Sequence, residues 1–240
     1  KLNSNFNSKI DFKEKIIEKY TKFFQKYDVI KGLKTLKAEF NNNFSVELDN
    51  TYKVKDYNYS IIGKLEKSKF KLSSSIKNNF ITEEITNIYF SDLEMRTIFK
   101  PKNIKISGEG KYSFDNLNFL NVNLENNIHN DNLNLKLDFD YKKKIDLDLI
   151  NYKKPEGLFS NITIDLEKKK DNLKISELNF KEENNFIKLQ DLSFYKKKFL
   201  SFKNIEVKTA NNDFTIEKRK KISIKGTKFD ATNLAKVLNK

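Results

Sequence analysis

The chain has 240 residues, 38% of them hydrophobic and 33% charged, with 47 basic against 33 acidic side chains and no cysteine. Lacking cysteine, it has no disulfides, thiolate nucleophiles or cysteine metal sites, and lacking a run of 18 apolar residues it has no candidate transmembrane helix. The net charge of +14 is almost wholly lysine; only Arg96 and Arg219 supply the guanidinium fork that phosphate and base recognition favour, which argues against a nucleic-acid partner.

The first residue is Lys1 and the only methionine is Met95, so the chain is expected to begin inside a longer one. From Asp11 to Ile30 the residues Phe12, Ile16, Tyr20, Phe23, Tyr27 and Ile30 recur at helical spacing, with Asp11 as the cap. This predicts an amphipathic helix that packs on a sheet or lies on a membrane surface. Strand patterning follows in Phe44, Val46 and Leu48, in Tyr52 and Val54, in Tyr57, Tyr59 and Ile61, and in Phe70 and Leu72. Residues 80–99 admit helix or strand, because Ile85, Ile88 and Leu93 suit the first and their β-branched neighbours the second. No proline-, glycine- or serine-rich linker follows, so the expected organisation is a helical segment, 1–31, and one antiparallel sheet segment, 32–240, with no separate second domain.

Between Ile104 and Lys225 apolar and polar residues alternate in short runs. The clearest run carries Leu133, Leu135, Leu137, Phe139 and Tyr141, and the next carry Ile145, Leu147 and Leu149, then Ile162, Ile164 and Leu166. Period two places each set on one face of a strand, so every hairpin has an apolar and a polar side. Leu173 and Ile175, Phe202, Ile205 and Val207, and Phe214 and Ile216 continue the same face. The phase slips from Leu117 and Phe119 to Leu120, Val122 and Leu124, from Leu173 and Ile175 to Leu178 and Phe180, and from Leu200 and Phe202 to Ile205 and Val207. A slip that keeps apolar residues on one face needs a bulge, and bulges bend sheets. The fold predicted is mainly β: a curved, twisted antiparallel meander forming a groove, with the N-terminal helix and a short C-terminal helix over Asp230 to Leu238.

The turns alternate in character. Lysines cluster at Lys142, Lys143 and Lys144, at Lys168, Lys169 and Lys170, at Lys196, Lys197 and Lys198, and at Lys218, Lys220 and Lys221. Between them lie Pro155-Glu156-Gly157, Glu182 to Asn185, and Asn211 to Asp213. In an up-and-down meander alternate turns share an edge, which would set all four lysine clusters on one rim. Such a rim suits an acidic partner or lipid head groups. Its plainer reading is solvated turns in a lysine-rich chain whose Lys, Asn, Ile and Phe look like the codon usage of an AT-rich genome.

Catalytic patterns are absent. His129, the one histidine, sits among asparagines and aspartate in a turn; Gly108-Glu109-Gly110 lacks the third glycine and following helix of a dinucleotide site and reads as a strand bend; Ser73 to Ser75 has no elbow glycines. The pairs Glu83-Glu84, Asp138 with Asp140, and Asp146 with Asp148 read as solvated faces, not metal ligands. Neither enzyme activity, a metal nor a cofactor is expected.

Four stretches carry a family resemblance: ISGEGKY from Ile106, FIKLQDLS from Phe186, LSFKNIEV from Leu200 and ISIKGTKFDATNL from Ile222. Across residues 100–240 the chain resembles the AsmA-like envelope proteins of diderm bacteria, nearest the YhdP-type members. The resemblance implies an internal segment of a long periplasmic protein, attached to the inner membrane by an anchor outside this segment. Its β-groove would shield phospholipid acyl chains between inner and outer membranes, continued by neighbouring β-repeats of the same chain. The lysine content and the expected helix at 11–30 depart from that pattern. Two other readings remain, an outer-membrane β-barrel and a non-catalytic β-scaffold for protein contacts.

Overall fold

The computed structural model describes residues 1–14, 16, 32–77, 83–130 and 132–233. It is mainly β: of the sixteen described strands, fourteen are members of a large antiparallel sheet and two form a separate small one. The chain packs as two compact units, 1–75 with 85–131, and 76–84 with 132–240.

The first unit holds β1 (Leu2–Phe12), β2 (Leu33–Leu48), β3 (Val54–Ile76), β4 (Ile85–Lys100), β5 (Asn103–Ser113) and β6 (Leu120–His129), neighbours in that order. Residues 85–100 are therefore strand, which decides the ambiguity over that stretch, while 78–82 lie outside the described residues. Phe44 faces Tyr59 across the β2–β3 ladder and their rings meet edge to face at 6.0 Å. Beside them Asn42, almost fully buried, donates to Ser8 Oγ at 2.9 Å and accepts from the Tyr59 hydroxyl at 2.8 Å, so a polar residue on the inward face is satisfied. Gly110 explains the glycine pair: a Cβ there would stand 2.5 Å from Leu93 Cα, opposite a register shift between Ser91 and Glu94. The expected bend is thus a bulge in β4 admitted by a glycine in β5.

The second unit holds β7 (Asn132–Tyr141), β10 (Ser160–Lys169), β11 (Asn172–Glu182), β12 (Asn185–Tyr195), β14 (Asn204–Thr209), β15 (Asn212–Lys218) and β16 (Ile222–Lys228), in that order, with β13 (Lys198–Ser201) also paired to β12. Between β7 and β10 the chain leaves the sheet for the hairpin β8 (Ile145–Leu147) and β9 (Tyr152–Lys154), joined by a 3-10 turn at Asp148–Ile150. In neither unit does the sheet close on itself. β16, at the end of its strand order, is exposed along all seven residues.

Among the described residues of the expected N-terminal helix, Asp11 and Phe12 are strand while Glu14 and Ile16 are helical, and none of those of the C-terminal one is helical. Residues 15 and 17–31 of the first, and 234–238 of the second, lie outside the described residues. Asp11, expected as a helix cap, is in β1 opposite Lys37, because Leu2, Phe6, Ile10 and Phe12 alternate with period two and extend the sheet. At the other end Asp230 accepts from the Thr232 backbone at 3.0 Å in a turn.

One phase slip is a bulge as expected: Leu166 pairs with Ile175 and Asp165 with Glu177, which leaves Ser176 as the extra residue. The slip at Leu200 to Val207 is a break at Phe202 and Lys203, where β13 gives way to β14 along the same partner. The slip at Leu117 is a turn, held by Asp115 accepting from the Leu117 and Asn118 backbones at 2.8 and 2.9 Å, with Leu117 itself exposed.

Candidate functional site

The cross-strand register of the second unit builds one apolar face. Leu135, Leu137 and Phe139 of β7 stand opposite Leu166, Ile164 and Ile162 of β10. Those three face Ile175, Leu178 and Phe180 of β11, which in turn face Leu192, Leu189 and Ile187 of β12. Ile187 and Leu189 meet Val207 and Ile205, and these meet Phe214 and Ile216. Leu133 and Leu173 extend the face at one end, each opposite the single polar Lys168. The bulge at Ser176 keeps the two halves of β11 in phase with their neighbours, so six strands share the face.

The other side of this sheet is polar and internally bonded. Asn161 donates to Asp138 at 2.7 Å, Asn179 to Thr163 at 3.1 Å, and Lys188 and Lys174 pair with Glu177 and Asp191 at 3.2 and 2.9 Å. These pairs hold the Glu177 and Asp191 carboxyls below their ordinary pKa: through hydrogen bonds from Asn179 and Lys188 at Glu177, and from Lys174 at Asp191. With the polar side tied together by these pairs, the apolar side is the one needing cover.

Among the described residues the β8–β9 hairpin covers one end of this face. The β8–β9 hairpin seats Ile145, Ile150 and Tyr152 as buried residues, with the Tyr152 ring 5.8 Å from Phe180 at 70°. Tyr152 donates its hydroxyl proton to Glu182, which also accepts from Asn185 at 2.9 Å. Burial, with that bond to a carboxylate, pushes the Tyr152 phenol far above its usual pKa. Asn212 donates to the Ile150 carbonyl at 2.8 Å and accepts from the Asp230 backbone at 2.9 Å, while Asn151 donates to Asp230 at 2.9 Å. Lys154 is wholly buried; it donates to the Lys143 and Pro155 carbonyls at 2.8 and 3.3 Å and lies 5.6 Å from the Tyr141 ring. Burial draws its pKa down, opposed by Glu182 and Glu156. At this end Tyr141, Phe180, Ile187, Val207 and Phe214 are buried; towards the other Leu192 is buried too, but Leu133, Leu135, Leu137, Ile164, Leu166 and Ile175 are only half-buried.

The hairpin corrects part of the expected face. Ile145, Leu147 and Leu149 are not on the large sheet: the first two are in the hairpin, and Leu149 is exposed in the 3-10 turn. Phe202 lies in the break between β13 and β14, its ring 6.4 Å from Phe199. The other residues of that set lie on the apolar side of the large sheet. Leu178, Phe180, Ile187, Leu189 and Leu192 belong with them, and the signal for these was the same alternation read across the bulge.

The lysine rim is also corrected. Because β8 and β9 leave the sheet, the loop 142–159 begins and ends at one edge, next to Tyr141 and Ser160. Lys142, Lys143 and Lys144 therefore share an edge with Pro155-Glu156-Gly157, Glu182 to Asn185 and Asn211, while Lys168 to Lys170, Lys196 to Lys198 and Lys218 to Lys221 share the opposite one. The two sets also differ in pairing. Lys143 pairs with Glu83 and Glu156 at 3.0 and 3.1 Å, Lys144 with Asp146 at 3.5 Å, and Lys142 stands over the Phe159 ring at 3.8 Å. Among the described residues no lysine of the other three clusters is in an ion pair, and Arg219 alone is paired there, with Glu217 at 3.4 Å.

His129 is at the end of β6 with its ring beside Asn130, and the described residues contain no group of acidic or histidine side chains able to hold a metal. A depression of about 440 Å³ on the first unit is lined by uncharged residues, chiefly Asn3, Asn5, Asn43 and Asn58. Set against protein-family models, curated proteins and solved structures, the chain matches none of them.

Proposed function

We propose that the second unit is a lipid-binding segment, in which the apolar sheet face shields the acyl chains of phospholipid. The observation that carries this is the six-strand apolar face, much of which is only half-buried among the described residues. Apolar surface of that extent needs a ligand, another layer or a neighbouring repeat. Acyl chains match it chemically, since Leu, Ile and Phe offer dispersion contact and no hydrogen-bonding group along the face. Bulges such as that at Ser176 add twist, and a twisted strip of this kind would present the face as a trough.

The wider reading follows the AsmA-like resemblance: a periplasmic segment of a longer carrier that is anchored in the inner membrane outside these residues, continues into neighbouring β-repeats and passes phospholipid towards the outer membrane without enzymatic chemistry. The open strand order of each unit supports a groove over a barrel.

Purification from cells followed by lipid mass spectrometry tests the reading. Wild-type protein is expected to carry phospholipid, and Leu135→Asp with Ile164→Asp, which place two charges on the half-exposed part of the face, to carry at least tenfold less. Equal lipid on both would overturn it.

A further inference from the structure

We infer that the apolar face is loaded from one end: an anionic phospholipid seats its phosphate among the lysine turns at 168–170, 196–198 and 218–221 and runs its acyl chains towards the β8–β9 hairpin. The inference rests on the lipid-binding reading and adds to it the head-group class and the direction of the bound molecule.

Three observations point the same way. The first is the asymmetry of cover: Tyr152 and Phe180 close the face at one end, latched by the Tyr152–Glu182 and Asn212–Ile150 hydrogen bonds, whereas at the other Leu133, Leu166 and Leu173 are only half-buried, with Leu192 buried between strands. A chain entering at the hairpin would have to break a buried polar cluster; one entering at the lysine turns would not. The second is the asymmetry of charge. Ten basic residues stand in the three turns against Glu167, Asp171 and Glu217 nearby, and none of the lysines is ion-paired among the described residues, while at the hairpin end Lys143 and Lys144 are already neutralised by Glu83, Glu156 and Asp146. A phosphate-bearing head group meets the denser set of unpaired cations at the open end, where the three turns carry ten basic residues.

The third is what accompanies the lysines. Tyr195, Phe199, Leu200, Ile222 and Ile224 are all exposed beside them, Ile224 at 69%. Exposed aromatic and aliphatic side chains beside lysines are the composition of a surface that touches the head-group layer, where long lysine stems reach outward and apolar groups dip inward. The dimensions agree as well. Ile162, next to the covered Phe180, and Lys168 are six residues apart on β10, about 20 Å at the rise of an extended strand. One acyl layer is about 15 Å, half of a bilayer's hydrocarbon core, so its tails fit between the hairpin and the turns.

The test uses vesicles of neutral phosphatidylcholine with or without an anionic phosphatidylglycerol fraction, incubated with the whole chain, then separated and assayed for protein-bound lipid. Two triple variants remove equal charge: Lys169→Gln with Lys197→Gln and Lys220→Gln at the open end, and Lys144→Gln with Lys153→Gln and Lys181→Gln at the hairpin end. At low salt the open-end variant is expected to lose uptake from anionic vesicles by about a hundredfold, since each lysine at an anionic surface is worth roughly fivefold. The hairpin-end variant is expected to lose less than threefold. Equal losses in both, or equal uptake from neutral and anionic vesicles, would overturn the inference. Leu135→Asp separates the two levels. If it abolishes uptake while the lysine variants behave alike, the apolar face binds lipid without this polarity; if it too changes nothing, the lipid-binding reading fails with it.

Discussion

Tyr152 donates its phenolic proton to the carboxylate of Glu182, a bond that ties the off-sheet hairpin to the end of β11 in a buried setting. The hairpin contributes little ladder of its own, three residue pairs in all, so its position depends on a few side-chain bonds. Removing one partner leaves the other buried and short of a hydrogen bond.

Tyr152→Phe is accordingly expected to lower stability by about 1–3 kcal/mol while keeping the ring contact with Phe180. Thermal unfolding would register it as a fall of about 2–4 °C per kcal/mol, and proteolysis at the exposed Lys153 should accelerate. An unchanged melting temperature together with unchanged cleavage would show that the bond does not hold the hairpin.

Alkaline pH offers a second handle. Burial raises the Tyr141 phenol from 10.0 to about 12, so the folded form keeps its proton where the unfolded chain loses it. The neutral phenol's contribution is fully present below pH 10 and is lost as pH rises to about 12. Compared by denaturant unfolding, wild type should lose up to about 3 kcal/mol more than Tyr141→Phe across that interval. Parallel curves would contradict the shift.

Glycine at 110 is expected to tolerate no side chain. A Cβ would meet Leu93 Cα at 2.5 Å and the Asp92 carbonyl at 2.6 Å, backbone atoms that cannot swing aside. Gly110→Ala should cost about 1–3 kcal/mol or more as an overpacking change, read from urea midpoints. Gly157→Ala meets no atom within 4 Å and carries only the strain of its φ of +91°, so it should cost less.

Lys197 occupies a left-handed backbone position, φ 65°, where glycine is the easy residue. Lys197→Gly is expected to raise stability by about 1 kcal/mol while weakening association with anionic vesicles. A gain in stability with no loss of association would show that this lysine serves the turn alone.

How far the sequence reveals these features depends on which residues speak. Leu133 to Tyr141 announce their strand because every second residue is apolar and the register with β10 preserves it. β1 is harder: Ser4 and Ser8 occupy inward positions opposite Phe44 and Phe40, which breaks the apolar rhythm, so the pattern from Phe12 onward reads as helix instead. The parity of the lysine turns fails for a different reason. Ile145, Leu147 and Leu149 have the alternation of a sheet strand, and no local property distinguishes a strand that joins the main ladder from one that folds over its end. The contacts that decide it, Asn212 with Ile150 and Tyr152 with Glu182, span 62 and 30 residues.

The exposed strand β16 has a consequence for the molecule in concentrated solution. Its outer backbone groups form a ready template for another extended segment, and Ile222 and Ile224 would favour such an addition. Lys225 and Lys228 are its charged gatekeepers, so salt that screens them should promote end-to-end self-association of chains that remain separate at low ionic strength.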